Sequence, residues 1–141
     1  MTKSEAEQIA ALLNARNQLT VPYTAAKVLA HADDYLTANT TSGELIGCVE
    51  IKSVQWYQFE VLHLSVADGH TGKGVARSLL AKAAQAASDK RARVLQCTIR
   101  SGNTESEGLF SSCGFACVST FRNQASGNTV GVWQRVLSPA S

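Results

Sequence analysis

One passage constrains the fold of this chain more than any other. Trp56 to Val66 is rich in β-branched and aromatic residues and reads as a strand. Ala67 to Ala76 is a loop carrying Gly69, Gly72 and Gly74. Val75, Leu79, Leu80 and Ala83 then recur at helical spacing, and the helix runs to about Asp89. The next apolar stretch, Val94 to Ile99, is a short interior strand. A strand, a helix and a second strand in this order make the two strands parallel neighbours. The chain is therefore expected to be α/β, with a mixed sheet. The loop also suggests chemistry. A glycine turn feeding a helix start leaves N–H groups pointing outward, and the helix dipole favours an anion there. Lys73 adds a positive charge, so the passage reads as an anion site of unspecified ligand.

The remaining segments fit around this centre. Ser4-Glu5-Ala6-Glu7 has the form of a capping box and opens a helix with Ala6, Ile9, Leu12 and Leu13 on one face, ending near Asn17. Pro22 breaks that pattern, and Thr24 caps a second short helix through Ala32, with Val28 and Leu29 as its apolar pair. Tyr35 to Ala38 is a candidate strand, Thr40 to Gly43 a turn, and Glu44 to Lys52 a stronger alternating strand. Ser53 to Gln55 are expected to turn the chain into the central strand, making three antiparallel strands on one side of the sheet. Lys90, Arg91 and Arg93 place cations near the end of the long helix. Thr104 to Glu107 forms a second capping box, and its helix stops at Gly114. Phe115 to Phe121 and Thr129 to Leu137 are the last strands, joined by the loop from Arg122 to Asn128; Ser138 to Ser141 read as a tail.

Composition narrows the function. At 141 residues and 45% apolar content the chain suits one compact domain, residues 1–141. A formal net charge of +2 gives no case for nucleic acid as the main partner. No apolar run approaches the roughly 20 residues of a membrane helix, so no membrane partner is expected. The N-terminus lacks the apolar region of a signal peptide, which makes the cytoplasm the expected compartment. Cys48, Cys97, Cys113 and Cys117 contain no CxxC pair, and the three histidines are scattered, so no metal is expected. Cys48, Cys97 and Cys117 lie in apolar runs and read as buried small hydrophobes.

Two nucleotide motifs fit the glycine loop poorly. A P-loop needs Ser or Thr after its Lys, whereas Gly74 follows Lys73, and Ala67 stands where its first glycine would be. The dinucleotide fingerprint is half met by Gly72-Lys73-Gly74, but Arg77 occupies its last position. Thr71-Gly72-Lys73-Gly74-Val75-Ala76 instead resembles the Q/R-x-x-G-x-G/A loop of the GNAT N-acyltransferase superfamily, with Thr71 replacing the usual Arg or Gln. Asn103, Leu109-Phe110 and Cys113-Gly114-Phe115 resemble that family's N-x-x-A … L-Y-x-x-x-G-F segment. The likeness covers roughly Glu44 to Val136.

The resemblance implies a single GNAT-like domain: a central, mostly antiparallel sheet, splayed at its fourth and fifth strands and flanked by helices. Members often begin with a strand; with little chain before Ser4, that strand is expected to be short, displaced or missing. The implied co-substrate is acetyl-CoA. Leu64, Ser65 and Val66 would hold its acyl carbonyl and pantetheine arm, Thr71 to Ala76 (Thr71, Gly72, Lys73, Gly74, Val75, Ala76) its diphosphate, and Asn103 and Phe110 would complete the contacts. The implied acceptor is a small-molecule or protein amine, acetylated directly in a ternary complex, and a homodimer stays open.

Acetyl transfer needs a group that deprotonates the amine. Glu60 is the first candidate: its strand is largely apolar, and burial would raise its pKa. His63 is the second, because it titrates near neutrality. Strict alternation puts the two on opposite faces, which a bulge would reverse. His70 could touch phosphate. Where many relatives place a tyrosine to protonate the departing thiolate, this chain has Phe110, which has no proton to give. Water, Cys113 or Tyr57 could substitute, or the thiolate leaves unprotonated. Trp56, Tyr57 and Trp133 either enclose the amine or belong to the core. Phe110 and Thr71 keep alive a non-catalytic acyl-CoA-binding or sensing module, and a structural domain that binds no coenzyme.

Overall fold

The computed structural model describes residues 1–17 and 21–137, so the tail reading for Ser138–Ser141 lies outside the described residues. The helices are α1 (Lys3–Arg16), α2 (Ala25–Ala30), α3 (Val75–Asp89) and α4 (Thr104–Ser112). The strands are β1 (Tyr35–Asn39), β2 (Leu45–Gln55), β3 (Gln58–Val66), β4 (Val94–Arg100), β5 (Ala116–Arg122) and β6 (Thr129–Val136). A 3-10 turn, Ala32–Asp34, follows α2. The six strands form one mixed sheet in the order β1-β2-β3-β4-β6-β5, flanked by helices, as the sequence suggested. The chain divides into two compact units: Met1–Ile51 with Leu62–Ala83, and Lys52–Val61 with the chain from Ala84 onward.

In the first unit α1 begins two residues before the expected start. Thr2, not Ser4, caps it, accepting from the Glu5 N–H at 3.1 Å, while Ser4 accepts from Gln8. Thr2-x-x-Glu5 is an equally formed capping box, and starting there lengthens the helix. The expected face, Ala6, Ile9, Leu12 and Leu13, is buried together with Val28, Tyr35 and Cys48. Thr24 caps α2 as read, accepting from Lys27 N–H, but Leu29 faces solvent and Val28 alone enters the core. β1 pairs antiparallel with β2 in a register that sets Tyr35 opposite Glu50. Gly47 lets α3 approach β2: a Cβ there would stand 2.9 Å from Leu79 Cδ1, 3.0 Å from Val75 Cγ1 and 3.3 Å from the Ser65 carbonyl. A larger residue would push against the first turn of α3.

In the second unit β3 and β4 are parallel over Gln58↔Val94, Phe59↔Leu95 and Glu60↔Gln96. β4 and β6, and β5 and β6, are antiparallel. Two expected boundaries shift. Ser53 to Gln55 continue β2, and the turn is Trp56-Tyr57, so Trp56 is not on the central strand. A two-residue connection suffices for a hairpin, and β-branched Val54 suits a strand. Asn103, not Thr104, caps α4, accepting from the Ser106 N–H; Asn is the stronger capping residue. Cys48 and Cys97 are buried, but Cys117 is exposed. It lies on β5, the sheet's last strand, whose residues are all exposed, so apolar neighbours in sequence do not bury it.

Candidate active site

The glycine loop belongs to the first unit. Gly72 and Gly74 have φ of +76° and +79°, a region that side chains strain to enter, and the space where each Cβ would project is open to 4 Å. Gly74 precedes Val75, the first residue of α3, and its carbonyl accepts from Ser78 N–H at 3.0 Å. A glycine in that place has no side chain to cap the helix, and the first turn's N–H groups lack intrahelical partners. Thr71, Gly72, Lys73 and Gly74 are exposed, and Val75 and Ala76 partly so. The residues fit an anionic group on donor chemistry and on open space.

The strand leading into this loop is anchored. Ala67 N–H donates to the Ile46 carbonyl at 2.8 Å. Ser65 is buried, and its Oγ accepts from Asn17 Nδ2 at 3.0 Å; the same amide donates to the Leu13 carbonyl at 2.9 Å. The end of α1 is thus tied to the strand at Ser65, so the Ser65 hydroxyl already has a partner. Leu64 and Val66 beside it are half-buried.

His63 breaks the regularity of β3. Its φ is 53°, a left-handed backbone inside a strand. For a residue with a Cβ such strain costs on the order of 1–3 kcal/mol and persists only where the surroundings hold it. Those surroundings are specific. Tyr23 Oη lies 2.6 Å from His63 Nε2, and the two rings meet edge to face with centroids 4.9 Å apart. Glu50 Oε1 lies 3.7 Å from the same nitrogen. Cys48 Sγ approaches the His63 carbonyl at 3.9 Å. Burial pushes the imidazole below its usual pKa. Burial and then Glu50 raise the phenols of Tyr23 and Tyr35, and push the Cys48 thiol up to about 12. His31 joins the cluster's edge: Nδ1 is 3.7 Å from Asp34 Oδ2, and the side-chain ligand atoms of His31, Asp34 and Glu50 all lie within 4.8 Å of one another.

Neither Tyr23 nor Glu50 was singled out from the sequence. Glu50 left a trace, an acid within the otherwise apolar run from Leu45 to Ile51. Tyr23 left none, because its contact is with a residue 40 positions away.

The second unit holds the other candidates. Glu60 is half-buried, and burial raises its pKa, as expected of a base; a hydrogen bond from Gln96 works against the rise. Gln134 Nε2 donates to Gln96 Oε1 at 2.7 Å, and Gln96 Nε2 reaches Glu60 Oε2 at 3.5 Å. Asn103 spends its side-chain oxygen on the helix cap. Phe110 is buried and closes the other end of α4. Phe115 N–H donates to the Phe110 carbonyl at 3.0 Å, Gly114 N–H to Ser111 at 3.1 Å, and the two phenyl rings meet at 5.0 Å. This is the Schellman pattern with its accompanying apolar contact. Trp56 is 78% exposed on its turn, so it is not core. The structure therefore gathers His63 to Val66 and Thr71 to Ala76 in one unit, and Glu60, Asn103 and Phe110 in the other.

Residues 5–115 match the model of the acetyltransferase (GNAT) family, and the chain belongs to that family. No curated protein sequence matches it. Among solved structures it is similar to ribosomal-protein-alanine N-acetyltransferase from Brucella melitensis, at 19% identity over 97% of each chain and a TM-score of 0.84. It is also similar to the yncA protein of Salmonella typhimurium, solved with its cofactor acetyl-CoA, at 19% identity over 100% of this chain and 93% of that one, with a TM-score of 0.84. A mutant of spermidine N-acetyltransferase from Vibrio cholerae aligns at 19% identity over 96% and 92% of the two chains, with a TM-score of 0.79. At such identities the likeness is one of fold.

Proposed function

We propose that this chain, acting as one domain over residues 1–141, is an acetyl-CoA-dependent N-acetyltransferase that acetylates a primary amine of a small molecule or protein in a ternary complex. The observation that carries the reading is the glycine start of α3, where Gly72 and Gly74 hold left-handed conformations and leave open space before the helix. Family membership and a fold shared with a protein that binds acetyl-CoA support it.

Acetyl-CoA would supply the thioester. The backbone of Gly72 to Ala76 would receive its diphosphate, with Lys73 and Thr71 beside it, and the backbone at Leu64 to Val66 would align the acyl arm. Glu60 and His63 are the two groups able to accept the amine's proton. Among the described residues no helix is long and apolar enough to cross a membrane. We place the reaction in the cytoplasm and assign no nucleic-acid or membrane partner. One neighbour in fold is an acetyltransferase of a ribosomal protein and another of spermidine, so both acceptor classes enter the test.

The test is release of free CoA thiol from acetyl-CoA across a broad panel of primary amines and peptide N-termini. At least one acceptor is expected to give turnover. Tight acetyl-CoA binding without thiol release from any acceptor would make the chain a coenzyme-binding module instead.

A further inference from the structure

We propose, resting on the acetyltransferase reading above, that Tyr23, His63 and Glu50 form the relay that takes the proton from the acceptor's ammonium group. Tyr23 is half-buried, and its phenol is less enclosed than the His63 imidazole, so its hydroxyl is the group we take to meet the amine. The His63 side chain is 24% exposed and that of Glu50 8%, so the series runs inward. All three belong to the unit that carries the glycine loop. His63 holds a left-handed backbone there, with its ring against Tyr23 and its carbonyl near Cys48.

The proton balance is simple. The ammonium N–H bond breaks and its proton passes to the Tyr23 oxygen. The original Tyr23 O–H bond breaks and that proton forms an N–H bond at His63 Nε2, 2.6 Å away. Tyr23 ends neutral, the amine neutral and the imidazole positive. Glu50 Oε1, 3.7 Å from the same nitrogen, stabilises that charge. His63 is the proton acceptor; Glu50 acts through it and is a positioning residue. The relay needs neutral His63 with its resting proton on Nδ1, so that Nε2 can accept.

Other groups surround it. Lys27 Nζ sits 5.9 Å from the Tyr23 ring centroid. Cys48 on β2 approaches the His63 carbonyl, Tyr35 on β1 stands opposite Glu50, and Asp34 and His31 of the 3-10 turn border Glu50. Removing Glu50's charge leaves the imidazole with one fewer anion beside it, so its pKa should fall further. Removing the Tyr23 hydroxyl takes away the path but not the charge.

The test uses the full chain in two measurements. Nitrogen NMR follows the His63 imidazole against pH, without acceptor. Thiol release with the best amine of the panel gives the pH–rate profile. The native imidazole is expected neutral at pH 7 and protonated on Nδ1. His63→Gln should lower the rate on the order of a hundredfold and remove the acidic limb of the profile. Tyr23→Phe should lower the plateau by roughly tenfold with the limb in place, since a water can bridge for the phenol. Glu50→Gln should move both the NMR titration and the limb to lower pH; should this buried variant fail to fold, Tyr23→Phe and the native titration still decide. An imidazolium, or a proton on Nε2, in the native protein at pH 7 would overturn the relay. So would a native profile in His63→Gln, or a hundredfold loss confined to Glu60→Gln, in a protein whose native form acetylates an amine of the panel. Coenzyme binding with no acetylation of any amine would overturn the acetyltransferase reading and the relay with it.

Discussion

The starts of α3 and α4 are built in opposite ways. α4 is capped by Asn103, whose oxygen accepts from Ser106 N–H, and its first turn carries Glu105 and Glu107. Its amides have an internal partner, and its acids compensate the dipole and repel anions. α3 follows Gly74, has no acid in its first turn, and has Lys73 just before it. One start carries its own capping side chain; the other has glycine there and open space beside it. This contrast is why our proposal puts the coenzyme diphosphate at the start of α3.

If α4 is closed on itself, its closing residues should matter for stability first. Phe110→Ala should destabilise the protein by about 3–5 kcal/mol, as for a buried aromatic ring, measured by urea denaturation. Acetyl-CoA affinity lost while stability is kept would instead put the Phe110 ring in the coenzyme site. Asn103→Ala should have a smaller effect, about 1 kcal/mol for a lost cap, with acetyl-CoA affinity unchanged. A clear drop in affinity at unchanged stability would give Asn103 the coenzyme contact that the family resemblance implies, and would narrow the difference between the two helix starts.

The glycine loop, the long helix and the order of elements were legible because each rests on local chemistry. Glycines, capping residues and apolar spacing act within a few positions. Boundaries slipped where neighbouring residues compete for one role: Thr2 against Ser4, Asn103 against Thr104, Trp56-Tyr57 against Ser53 to Gln55. Cys117 was misplaced because burial depends on where a strand sits in the sheet, and β5 is at its edge. Glu60 and His63 stood out as polar residues on an apolar strand. The contacts that define each, Gln96 and Gln134 for the first, Tyr23 and Glu50 for the second, come from distant parts of the chain. No periodicity encodes those pairings; only the folded register brings them together.

The most direct measurement is calorimetric titration of acetyl-CoA into the native chain, Gly74→Asn and Gly74→Asp. Asn enters the left-handed region more readily than most residues, so it tests the backbone with little strain and no charge. Asp is nearly the same size and adds a negative charge where the diphosphate would lie. The native chain should bind, Gly74→Asn should bind somewhat more weakly, and Gly74→Asp should give no measurable heat. Equal binding by the Asn and Asp variants would contradict the placement of the coenzyme at the start of α3.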